Sequence, residues 1–143
     1  MKLRIVIDKT REEEIIIYTH EKNDLTQKIQ DLVEERESVF LAHSQSEVLR
    51  LTQSEVYCFV CENNKVFAVT DKDKFLIKTR LYKLEEVLGR DFIKINQSCI
   101  ANATKIKRFD TSVSGTLKVI FKNGYSDYVS RRQIKTVKER LGI

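Results

Sequence analysis

Near the end of the chain two arginines follow a serine, in Ser130-Arg131-Arg132-Gln133. The order reads as a capping box that opens a helix, with Ile134, Val137 and Leu141 on its buried stripe and Gly142 as its close. Cations in a first helical turn face the positive end of the helix dipole, at a cost of about 0.3 to 1 kcal/mol each, so folding alone favours Asp or Glu there. Two guanidinium groups beside open backbone N–H groups instead build an anion site, suited to phosphate contact and to bidentate pairing with a guanine edge. A surface arginine pair without a partner is the plainer alternative.

A second polar group is Lys94, Asn96 and Gln97, followed by Asn102, Lys105, Lys107 and Arg108. Asn and Gln can pair bidentately with adenine in a major groove, and the lysines suit phosphates. Ser98 and Asn102 also fit turn or capping duties, the reading we prefer for Asn102.

Little else points to chemistry. Neither His20 nor His43 has a neighbourhood that suggests a nucleophile, a paired base or a metal set, and the four glycines stand alone at 89, 115, 124 and 142. Carboxylates such as Glu12 to Glu14 and Glu85-Glu86 read as solvated faces. Cys58 and Cys61 form a C-x-x-C, but within an apolar strand their side chains point to opposite faces, so neither a metal site nor a redox pair is expected. With Cys99 they make an odd number, and free thiols follow. No enzyme activity, cofactor, metal or small-molecule substrate is expected.

Those residues need a frame, and charge and pattern supply one. Residues 1–37 hold seven Lys/Arg against ten Asp/Glu, residues 38–89 seven of each, and residues 90–143 twelve against four. The basic excess thus lies in the last third, which favours a polyanionic partner. No run nears the roughly 18 apolar residues of a membrane span, and no apolar signal region follows Met1, so a cytoplasmic protein is expected.

Leu3, Ile5 and Ile7 alternate over Lys2 to Asp8, and Glu14 to Thr19 is a second β-branched run. Asp24-Leu25-Thr26-Gln27 resembles a capping box, with Leu25, Ile29, Leu32 and Val33 at helical spacing behind it. These predict a ββα unit over 1–37.

Beyond it short strands recur, predicted over 39–43, 47–51, 56–62, 65–70, 74–78, 92–95, 105–112, 116–122 and 125–130. Asn63-Asn64, Ser114-Gly115 and Asn123-Gly124 mark tight turns; the last predicts a type I′ hairpin over 116–130 with Leu117, Val119 and Phe121 buried. Leu81, Leu84 and Leu88, stopped by Gly89, predict a further helix.

The stretch from Asp91 to Ile106, through Lys94-Ile95-Asn96-Gln97-Ser98-Cys99-Ile100-Ala101-Asn102, resembles the LytTR family of bacterial DNA-binding domains, whose signature is basic-x-His-x-Ser-aromatic-Ile-Val-Asn-x-x-x-Ile. Tyr128-Val129-Ser130-Arg131-Arg132 is similar to the family's second signature, a strand running into Ser-Arg-Arg. The likeness runs from about Val39 to Ile143, and departs at Asn96, where a histidine is usual, and at Cys99, where an aromatic is usual.

The resemblance implies a mainly β fold of elongated antiparallel sheets with short helices, here over 38–143 behind the ββα unit. It also implies a stand-alone, response-regulator-like transcription regulator that binds double-stranded DNA with loops in successive major grooves. By motif position Asn64, Lys65, Asn96, Gln97 and Arg132 would face bases, and Arg131, Lys94, Lys105 and Lys107 would meet phosphates. No phosphoacceptor receiver fits into 37 residues, so the ββα unit is expected to serve dimerisation or docking, in a homodimer or against a regulatory membrane protein.

Two other classes compete. One is a protein-interaction module whose basic face docks an acidic partner, with residual, non-specific DNA affinity. The other is single-stranded RNA binding on a sheet face, but Phe121, Tyr125 and Tyr128 are better placed as hairpin core and cross-strand pairs.

Overall fold

The computed structural model describes residues 2–34 and 39–143. The chain separates into two compact units, Met1–Arg36 and Glu37–Ile143. The expected end of the ββα unit near Glu37 lies outside the described residues.

In the first unit α1 spans Asp24–Val33. Its cap is Asn23, one residue before the expected Asp24: Thr26 N–H donates to Asn23 Oδ1 at 3.0 Å, and Asn23 N–H donates to Thr26 Oγ1 at 3.0 Å. The shift leaves Asp24 in the first turn, where its charge suits the dipole. The two strands expected over Lys2 to Asp8 and Glu14 to Thr19 form no sheet ladder among the described residues.

The second unit is mainly β. A seven-stranded antiparallel sheet is built from β1 (Val39–His43), β2 (Val48–Thr52), β3 (Cys58–Glu62), β4 (Lys65–Val69), β5 (Lys74–Ile77), β6 (Phe92–Asn96) and β7 (Cys99–Asn102), in the order β2-β1-β5-β4-β3-β7-β6. A three-stranded sheet holds β8 (Ile106–Asp110), β9 (Lys118–Phe121) and β10 (Ser126–Tyr128), with β9 central. The helices are α2 (Leu81–Val87) and α3 (Ile134–Leu141). Among the described residues no helix is long and apolar enough to cross a membrane.

The large sheet carries a core on each face. Cys58 and Val60 point with Ile93, Ile95, Cys99 and Ala101 toward Leu117, Val119 and Phe121 of the small sheet and Val137 of α3. Phe59, between them on β3, faces the other way, with Phe40, Val66, Ile77, Phe92 and Leu84 of α2. Its ring meets Phe40 edge-on at 5.2 Å between centroids. Burial on both faces is why β3 and β7 show continuous apolar runs rather than alternation. A strand with no alternation, such as β7, is absent from the strands that periodicity predicts.

The expected tight turn at Asn63-Asn64 is present, whereas the Asn123-Gly124 turn and the end of α2 differ from expectation. Asn63 and Asn64 both have positive φ, 51° and 61°, so the type I′ turn joins β3 to β4. At Asn123-Gly124 only the glycine has positive φ, and Gly124 N–H donates to the Phe121 carbonyl at 2.9 Å. That hairpin therefore closes through a longer loop with a glycine bulge. Gly89 does not end α2 through a left-handed turn. Leu88 caps the helix in an extended conformation, and Gly89 N–H donates to Gln53 Oε1 at 3.1 Å.

Candidate nucleic-acid interface

Four hydrogen bonds between loops, and one within the β6–β7 turn, gather three loops at one end of the large sheet. Cys61 N–H donates to the Ser98 carbonyl at 2.8 Å, which sets the β3–β4 turn beside the β6–β7 turn. Ser130 N–H donates to the Ile95 carbonyl at 2.8 Å, drawing the chain that leaves β10 against β6. Asn96 Nδ2 donates to the Tyr128 carbonyl at 2.8 Å and to Asp127 Oδ2 at 3.2 Å, while its Oδ1 accepts from Ser98 N–H at 2.8 Å. A shift in the β6–β7 register between Lys94 and Asn96 places these groups where they can make such contacts.

The side chains carried by these loops differ in their freedom. Asn64, Lys65 and Gln97 are exposed, as are Arg131 and Arg132. Asn96 is half-buried and spends both ends of its amide within the fold, which makes it a tie between turns. Tyr128, expected among hairpin core or cross-strand pairs, does sit opposite Lys118 across the small sheet but is 52% exposed. Lys118 Nζ lies 5.4 Å from the centre of its ring. Tyr128 and Lys118 therefore join the same end, and only an exposed aromatic at a strand end could have signalled them.

Arg131 and Arg132 do not occupy the first turn of a helix. The helix α3 begins at Ile134 after Gln133, which makes no side-chain cap, and Ser130 serves through its carbonyl, accepting from Gln133 N–H at 2.9 Å and Ile134 N–H at 3.1 Å. With Ser130 N–H held by Ile95, the chain makes a separate turn before the helix starts, and the arginines project from that turn. Their usefulness to an anion thus rests on their own charge rather than on a helix end.

The remaining expected lysines lie elsewhere. Lys94 is half-buried on the face of α2, with Nζ 4.0 Å from Glu85 Oε2. Lys105 closes a single 3-10 turn at the far end of β3, its Nζ 5.4 Å from the centre of the Tyr57 ring. Lys107 is exposed on β8, next to Ile106, which pairs with Phe121 near that same far end. Asn102 is 2% exposed; its Nδ2 donates to the Val56 carbonyl at 2.9 Å and its Oδ1 accepts from Thr104 N–H at 3.1 Å, so it is a buried cap.

The thiols behave as core groups. Cys58 and Cys99 are fully buried and Cys61 is half-buried, all three unbridged. A hydrogen bond with Cys58, and then burial, pushes the Cys99 thiol well above its ordinary pKa. Among the described residues no cluster of His, Cys, Asp and Glu is arranged to hold a metal.

The family described as the LytTr DNA-binding domain matches residues 46–142. A protein of Staphylococcus aureus strain MSSA476, named an uncharacterized HTH-type transcriptional regulator, is 34% identical over the whole of this chain and 99% of its own length. The counterpart in S. aureus strain NCTC 8325, with the same descriptive name, is 33% identical over the same shares. Among solved structures, a LytTr DNA-binding domain from Bacillus cereus superposes with a TM-score of 0.70, at 22% identity, over 74% of this chain and 98% of its own.

Proposed function

The chain belongs to the LytTR family of DNA-binding domains, and from that premise we propose that it is a bacterial transcription regulator that binds double-stranded DNA sequence-specifically. The exposed turn residues Asn64, Lys65, Gln97 and Arg132 read base edges in the major groove, while Arg131 holds a phosphate. Asn96 keeps the two central turns in register with the Arg131-Arg132 turn, and Lys118 with Tyr128 extends the surface. Lys94, Lys105 and Lys107 add to the attractive field from a greater distance. The protein works in the cytoplasm as a homodimer on repeated half-sites, and it performs no catalysis.

The observation that carries the reading is the convergence of three loops, rich in Asn, Gln, Lys and Arg, at one end of the large sheet. The relatives' name speaks of a helix-turn-helix, yet among the described residues strands separate α1, α2 and α3 from one another. A recognition helix is therefore a poor fit to this chain and loop readout a good one.

Selection of bound duplexes from a random pool tests the proposal. Enrichment of a repeated motif that fades with Arg132→Ala is the expected result. Equal, weak and steeply salt-dependent binding of every duplex would overturn it in favour of a module that docks an acidic protein.

A further inference from the structure

The first unit has no core of its own. Thr26 is the one buried residue among its described positions, and eleven of the nineteen large apolar side chains left exposed in the described chain belong to it. Leu3, Ile5 and Ile7, alternate residues of one segment, are 88%, 78% and 87% exposed. Ile15 and Ile17 line a groove of about 470 Å³ with Thr26, Ile29 and Val33 of α1, and no residue of the 2–8 segment lines it.

The backbone is equally unpaired. Among the described residues, the one backbone-to-backbone hydrogen bond within 2–20 runs from Arg11 N–H to the Asp8 carbonyl, at the turn between the two segments. Units of fewer than roughly 40 residues rarely stand without a disulfide, a metal or a partner copy. β-branched segments whose backbone groups lack backbone partners are templates for strand addition.

We propose that a second copy of this chain covers this surface by reciprocal strand exchange. The Lys2–Asp8 segment of each copy lies in the other's groove, pairs its backbone with the open 12–19 segment, and buries Leu3, Ile5 and Ile7 against Ile15, Ile17 and Val33. Charge selects this occupant. Residues 2–11 carry Lys2, Arg4, Lys9 and Arg11 against Asp8 alone, whereas residues 12–34 carry seven carboxylates against Lys22 and Lys28. Each copy thus offers a basic strand and a surface that asks for one, the self-complementarity of a two-fold interface. A standard interface buries about 800 Å² per partner, and the exposed apolar set supplies side chains for it. The inference rests on the dimeric part of the reading above and is independent of its DNA part.

Sedimentation equilibrium of the full chain without DNA tests it, with the folding of the β body followed in parallel by circular dichroism in urea. The wild type is expected to be a dimer at micromolar concentration, and Ile5→Asp with Ile7→Asp is expected to weaken it by roughly 100-fold or more while the urea transition of the β body stays in place. Val113→Asp, at an exposed apolar position of the second unit, is expected to leave the dimer intact. A monomeric wild type, or a double variant as dimeric as the wild type, would overturn the proposal.

Mixing two chains in a Cys61→Ser background, one with Ile5→Cys and the other with Val33→Cys, should give an interchain disulfide under mild oxidation. A persistent dimer that gives none would overturn the strand exchange. The monomeric variant should still bind an isolated half-site. A dimer that breaks as expected but shows no sequence preference would sink the DNA reading and leave this one standing.

Discussion

Asn96 Nδ2 donates to the Tyr128 carbonyl at 2.8 Å, so a side chain at the β6–β7 turn is bound to the end of the hairpin that delivers Arg131 and Arg132. The same amide accepts from Ser98 N–H at 2.8 Å, so one side chain holds two neighbouring segments at once.

The first prediction follows from that tie. Asn96→Ala should destabilise the second unit by about 1 kcal/mol, the worth of a partly exposed hydrogen-bonded group, and should lower affinity for the selected operator more than that loss alone explains. Urea unfolding gives the first quantity and electrophoretic mobility shift the second. An unchanged affinity would show that the loops hold their places without it.

Arg132 and Arg131 should separate by the kind of loss they cause. Arg132→Ala should cost about 1 to 3 kcal/mol on the selected site and relax preference at one base position. Arg131→Ala should weaken all duplexes alike and flatten the dependence of log K on log salt by roughly one unit. Titrations at several salt concentrations on operator and scrambled duplexes read both effects.

Lys65 and Lys105 test the convergence itself. Lys65 stands beside the β3–β4 turn, whereas Lys105 closes a turn at the opposite end of β3. Lys65→Ala should reduce operator discrimination; Lys105→Ala should leave it intact and lower all affinities slightly. Equal loss of discrimination in both would place the DNA along the sheet instead of across its end.

Asn102 should matter for folding and not for recognition. It is buried and bonded to Val56 and Thr104, so Asn102→Ala leaves the Val56 carbonyl and the Thr104 N–H without their partner and should cost about 1 to 3 kcal/mol in a urea melt.

A pH dependence follows from Cys99. Its folded pKa is raised, so above about pH 9, the ordinary thiol value, the unfolded chain has lost a proton that the folded chain still holds. Stability therefore falls as pH rises beyond that point and is unaffected by this group below it. Cys99→Ala should reduce the steepness of that fall by up to about 1.4 kcal/mol per pH unit, measured by denaturant melts in the alkaline range.

How much of this was legible in the sequence depends on where the signal resides. Alternation in Leu117, Val119 and Phe121 revealed the small sheet's buried face, because only one side of that strand is covered. The strand Cys99–Asn102 has all four residues buried and so offers no alternation, and its two-residue turn from β6 left no visible gap. Asn123-Gly124 looked like the tighter hairpin, yet backbone pairing placed the type I′ turn at Asn63-Asn64, whose side chains tolerate positive φ. The start of α3 was misplaced because a serine hydroxyl was expected to cap it, while the Ser130 carbonyl does so from a turn anchored on Ile95. Of the site, the polar turn residues were readable by type; the bonds that bring them together link residues about 30 positions or more apart and have no local signature.

The doubly covered strand β3 also limits how this protein can diversify. Inserting or deleting one residue there would send Phe59 toward the small sheet and Cys58 and Val60 toward α2, reversing every side chain between two cores of different shape. The β3–β4 and β6–β7 turns that flank it hold two residues each, so lengthening them is constrained by the same register. Lineages of this protein should therefore acquire new operator preferences through exchanges of side chain at Asn64, Lys65, Gln97 and Arg132, on a scaffold whose spacing stays constant.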